Sequence, residues 1–128
     1  MKRDLDLVRL ILLKIEEEYR STAIHGLRID GYDMETVAYH CKIMHEKGLI
    51  SDYKGFYASN ELQDFGVGSL TWEGQDYLEK VRDNSRWGKI KGILKDKALP
   101  ATIEVVKMLA DGIISAATSA AVSNIAGV

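Results

Sequence analysis

An α+β fold is predicted by three features of the 128-residue chain. An amphipathic helical pattern opens it. A second helical stretch, E-T-V-A-Y-H-C-K-I-M-H-E-K-G-L-I at Glu35–Ile50, stops on a glycine and runs straight into an extended segment. Two strand-like stretches with glycines then precede further helices. That order is the order of a winged helix-turn-helix with a shortened second helix and a C-terminal helical extension.

Leu5, Val8, Leu12, Ile15 and Tyr19 step by three and four, with Glu16, Glu17 and Glu18 on the outer faces. The spacing predicts a helix from Asp4 to Arg20, with Asp4 as its N-cap. Ala23–Asp30 alternates, with Leu27 and Ile29 on one side and His25 and Arg28 on the other, and reads as a short strand. Gly31-Tyr32 forms the turn and Asp33 caps a helix from Met34 to Lys47. There Val37, Cys41 and Met44 share the core side, while Thr36, Tyr39, His40 and Lys42 project from the other faces. Gly48 is the left-handed cap. Between Ile29 and Met34 no room is left for the helix that usually precedes a recognition helix. Either it is reduced to a single turn or the motif is truncated.

Ile50–Tyr57 reads as a strand with a bend at Lys54-Gly55, Ala58–Asp64 as a polar loop, and Phe65–Leu70 as a returning strand. Together they form the wing. Thr71 caps a helix in which Trp72, Leu78 and Val81 turn inward. Trp87, Ile90 and Leu94 then mark a helix over about Asn84–Lys95. Pro100 suits the first turn of a last helix, where a missing N–H leaves nothing unsatisfied. The composition shifts near Leu99-Pro100, which divides the chain into a winged-helix domain, 1–97, and a C-terminal apolar helix, 98–128.

Apolar residues at 46% and charged residues at 28% describe a globular chain rather than a disordered one. Net charge is −2, with 17 basic against 19 acidic side chains, which argues against holding DNA by bulk charge. One cysteine, Cys41, excludes an internal disulfide. The opening is amphipathic, not the uninterrupted apolar run of a secretory signal, and a cytoplasmic location is expected.

The opening M-K-R-D-L-D-L-V-R-L-I-L-L-K-I-E-E, G-Y-D-M-E-T-V-A-Y-H, H-E-K-G-L-I and L-T-W-E-G-Q-D-Y-L-E-K-V-R-D, with Trp87 shortly after, resemble a family of small bacterial and phage or prophage proteins of unknown function. The resemblance covers roughly Met1 to Lys95. It implies a winged-helix fold and a phage setting, and no biochemical activity. The central helix is also similar to that of metal-responsive repressors. There Thr36 and Val37 begin the reading face, Tyr39 and His40 lie at polar reading positions, and Lys42 lies in a phosphate-reaching position. Glu35 departs from the usual serine or threonine and would repel a phosphate.

These residues predict a non-enzymatic protein that binds double-stranded DNA, a phage-related transcriptional regulator. Thr36, Tyr39 and His40 would lie near bases, with Lys42 and Lys54 at phosphates. The alternative is a protein-interaction adaptor, acting on a host protein through the wing or the tail. Lys80–Lys97 carries seven basic and two acidic residues, a local +5, either an auxiliary phosphate surface or a solvated helix face. Cys41 and His45 at i and i+4 share a face, but two ligands do not close a zinc site; no metal or cofactor is expected. A core-facing thiol is inert, F-G-V-G-S lacks the lysine of a phosphate loop, and no catalytic residue is assigned. Ile103, Val106, Ala110, Ile113, Ala117, Ala120 and Asn124 form a narrow seam suited to a homodimer, or to packing on the chain's own domain. Gly112–Val128 is uncharged, but its 17 residues fall short of the ~20 a span requires. No membrane partner is expected.

Overall fold

The computed structural model describes residues 1–126. The elements run α1 (Leu5–Glu18), β1 (Ile24–His25), α2 (Met34–Glu46), β2 (Tyr53–Ala58), β3 (Glu61–Val67), α3 (Trp72–Val81), α4 (Asn84–Asp96) and α5 (Ile103–Ala126). They form an α+β fold: helices, a three-stranded antiparallel sheet of order β1-β3-β2 with its hairpin wing, and a long C-terminal helix. This arrangement is consistent with a winged helix-turn-helix architecture. Two compact units divide the chain, Met1–Leu78 and Glu79–Val128; the composition shift near Leu99-Pro100 falls inside the second.

In the first unit, Leu5, Leu7, Val8, Ile11, Leu12 and Ile15 bury one side of α1. Asp4 caps that helix, its Oδ1 accepting from the N–H groups of Asp6 (2.9 Å) and Leu7 (3.2 Å). The first strand is far shorter than its alternation predicts. Gly26, at φ 63, ends the pairing after Ile24↔Val67 and His25↔Gly66, although Leu27 and Ile29 are buried as expected. No helix lies between β1 and α2. A single turn replaces it, closed by Tyr32 N–H to Ile29 O (3.2 Å) with Gly31 at φ 87.

Asp33 caps α2, accepting from Thr36 N–H at 2.8 Å. The helix stops where Gly48 enters the left-handed region at φ 85. Leu49 N–H then reaches Met44 O (2.9 Å) and Gly48 N–H reaches His45 O (3.0 Å), the paired bonds of a Schellman ending. The hairpin turns on Ser59 and Asn60, both at positive φ (52 and 65), so β3 begins at Glu61 and the polar loop expected over Ala58–Asp64 is mostly strand. There Glu61 and Gln63 are exposed and Leu62 and Asp64 only half-buried, so the stretch offers a single apolar side chain to mark its alternation. A register shift falls between Phe56 and Tyr57.

Thr71 ties α3 to the end of α2. Its N–H donates to Leu49 O (3.1 Å), its hydroxyl donates to Gly48 O, and its Oγ1 accepts from Gly74 N–H (3.0 Å). A Cβ at Gly74 would stand 2.0 Å from Leu49 O, so only glycine lets the two backbones meet there. Trp72 does not turn inward as expected: it is 80% exposed. The buried stripe is Gly74, Tyr77, Leu78 and Val81, and Trp72 is not three or four residues from any of them.

In the second unit Asp83 caps α4, whose Trp87 and Ile90 are buried. Pro100 precedes α5 instead of starting it. The cap is Thr102, whose Oγ1 accepts from Val105 N–H at 3.2 Å. Ile103, Val106 and Ala110 are buried and α4 packs with α5, but of the seam's remaining positions Ile113 is half-buried and Ala117, Ala120 and Asn124 are exposed. Counting only the charge-free run understates this helix. Ile103–Ile125, 23 residues, is long and apolar enough to cross a membrane by length and composition.

Candidate binding groove between α2 and the hairpin

Tyr39 and Lys42 stand on the outer side of α2, half-buried and exposed respectively. They face the hairpin across a shallow groove of 340 Å³, lined also by Glu35, Tyr53, Tyr57 and Leu62. Period-two alternation places Tyr53, Gly55 and Tyr57 on this face of β2. A Cβ at Gly55 would meet Tyr57 Cε2 at 2.9 Å and both tyrosine hydroxyls at 3.2 Å, so the glycine lets the two rings close over the strand. Burial, then the neighbouring Tyr57, push the Tyr53 phenol up to about 12, so it remains a hydrogen-bond donor across the physiological range. Glu35 and Glu61 against Lys42 give the lining charge of both signs.

The remaining DNA-site residues do not gather there. His40 is a correction: it is fully buried. Its Nδ1 donates to Thr36 O (2.8 Å) and its Nε2 accepts from Asp4 N–H (2.9 Å), which fixes the neutral Nδ1–H tautomer. The ring therefore joins α2 to the cap of α1 and cannot reach a base. Thr36 is half-buried in the first turn of α2, its N–H held by Asp33 and its carbonyl by His40. Lys54 lies on the opposite face of β2, with Nζ 5.4 Å from the centre of the Phe56 ring. That ring lies 6.1 Å from the His25 ring.

Asp4 closes a second contact, accepting from the Tyr32 hydroxyl at 3.2 Å. Partial burial, then the Asp4 carboxylate, push that phenol above its ordinary value. Cys41 fills the core position its spacing predicts, and burial pushes its thiol up to about 12. Among the described residues no group of three or more His, Cys, Asp or Glu side chains is placed to hold a metal. The basic stretch is partly spent on neighbours within its own unit: Lys80 on Asp111 (2.8 Å), Arg82 on Glu79 (2.6 Å), and Arg86 on Glu79 O (3.1 Å).

Tyr53, Tyr57 and Leu62 are the groove residues that sequence reasoning missed. The Y-K-G-F-Y alternation carried the signal, with tyrosines on both sides of a glycine two residues away.

Residues 2–100 match the model of a family described as "Hypothetical protein (DUF2513)". The chain is also similar to an uncharacterized protein of Haemophilus influenzae, 38% identical over 118 residues that cover 90% of this chain and 97% of that protein. No solved structure matches.

Proposed function

The chain belongs to the DUF2513 family, and from the geometry of its groove we propose that it is a non-enzymatic protein-binding module on a winged-helix scaffold. The occupant is an extended segment of a partner protein, laid between α2 and β2. One observation carries the reading, the lining itself. Three tyrosines, Leu62 and Ala38 supply rigid apolar contact with polar tips, and Glu35, Glu61 and Lys42 supply charge of both signs. β2 also pairs with a strand on one side only, the arrangement that accepts an added extended chain.

A nucleic-acid partner asks for the reverse electrostatics. Residues 1–78 hold nine basic against fourteen acidic side chains, a net −5, so this unit repels a polyanion overall. The second reading, a phage-related DNA-binding regulator, draws on the winged-helix architecture and on the exposed Lys42 and Lys54. It has lost His40 as a reading residue.

A photo-crosslinking side chain placed at Tyr57, in the full chain expressed in its native cell, tests the proposal. The groove reading expects discrete protein adducts from position 57 and none from position 54, on the opposite face. Nucleic-acid adducts from either position would move the regulator reading to first place.

A further inference from the structure

We propose that α5, beyond Ala110, inserts into a lipid bilayer and anchors the chain there. Within its own unit the helix is buried at its start, at Ile103, Val106 and Ala110, and half-buried as far as Ile113 and Ile114. Every residue from Ser115 to Ile125 is exposed, on all sides of the helix. Its most apolar stretch has a mean hydropathy of 1.5 and is 11% buried. A core helix of that hydropathy would be mostly buried, and this one is not.

Beyond the packed Ala110 the helix runs Asp111–Ala126, 16 residues and about 24 Å, a few ångströms short of a hydrocarbon core of ~30 Å, a mismatch that local bilayer thinning absorbs. Asp111 is the one charge in that stretch. It stands in the first turn, at headgroup depth, and Lys80 pairs with it at 2.8 Å. Asn124 lies at the other end. The hydroxyls of Ser115, Thr118, Ser119 and Ser123 can bond back to helix carbonyls, which satisfies them without water. Charge agrees with the bilayer. Residues 79–128 hold eight basic against five acidic side chains, a net +3, all of it before Gly112. A basic flank beside an apolar helix complements anionic lipid headgroups.

A second copy of the helix is the weaker occupant. The best seam over this part, Ile114, Thr118, Val122 and Ile125, has three large apolar side chains. Three such side chains per helix leave little surplus over the freedom lost on association.

The test is flotation of the full chain with vesicles of phosphatidylcholine, alone or with one part in four phosphatidylglycerol, repeated at about 1 M salt, where surface charge is screened. Insertion predicts that the protein floats with both vesicles, more completely with the anionic ones, and stays with them at high salt. Ile114→Asp with Val122→Arg, both in the inserted stretch, should leave the protein in the aqueous fraction with its helical circular dichroism retained. Wild type remaining in the aqueous fraction overturns the proposal, and so does flotation lost at high salt, which marks surface adsorption. Flotation of the double variant overturns it too. Sedimentation as a dimer without flotation assigns the helix to a second copy instead.

Discussion

His40 links α2 to the cap of α1 through one imidazole, and its two hydrogen bonds leave neither ring nitrogen available to a ligand. Replacing it with alanine leaves Asp4 N–H and Thr36 O without that partner and opens a cavity. We expect His40→Ala to lose about 3 kcal/mol of stability by urea unfolding; a loss under ~1 kcal/mol would mean the ring is not structural. The placement of His40 was legible. It lies three residues after Val37 and four before Met44, so spacing put it on the core stripe, while its polarity suggested an outward role. Spacing was the better guide. Tyr77 is the opposite case. Its ring is buried, its hydroxyl has no hydrogen-bond partner among the described residues, and burial pushes its phenol well above the ordinary value. Removing an unsatisfied buried hydroxyl relieves a desolvation penalty. Tyr77→Phe should therefore leave stability unchanged or raise it by up to ~1 kcal/mol, and a clear fall in the thermal midpoint would reveal a partner for that hydroxyl.

At the scale of elements, the strings that carry the family resemblance turn out to meet in pairs. The opening M-K-R-D-L and the string G-Y-D-M-E-T-V-A-Y-H come together where Asp4 accepts from Tyr32 and donates its N–H to His40. H-E-K-G-L-I and L-T-W-E-G come together where Thr71 and Gly74 seat α3 on Gly48 and Leu49. These residues build the fold, which is why they disclose so little about a ligand; Trp72, 80% exposed, is the exception within them. Gly74→Ala should destabilise by roughly 3 kcal/mol or more, beyond any gain in helix propensity, because the clash is with backbone that cannot rotate away. A denaturant midpoint equal to that of wild type would show that α3 can back off freely. Helices α1, α2 and α4 were legible because apolar period and capping residues coincide. The hairpin was legible only in outline. Glu61–Asp64 pairs as strand although its residues are polar, and the register shift at Phe56/Tyr57 has no local signature.

For the whole molecule, the distribution of charge decides more than its total. A net −2 conceals a winged-helix unit at −5 and a C-terminal unit at +3, and the first of these bears on what the groove can accept. A labelled random-sequence duplex titrated with the full chain should show no binding that collapses between about 50 and 200 mM salt, the mark of counterion release. The groove emerged only once the chain was folded, since Tyr39 and Lys42 come from α2 and Tyr53, Tyr57 and Leu62 from the hairpin. No short motif joins them. A groove that holds an extended protein segment should yield binders on selection of a random peptide display library against the full chain. Enriched peptides should bind wild type and lose at least tenfold in affinity to Tyr39→Ala with Tyr57→Ala, and not to Lys54→Ala on the far face. Selection that yields no binder, or binders indifferent to the tyrosine pair, would contradict the groove reading.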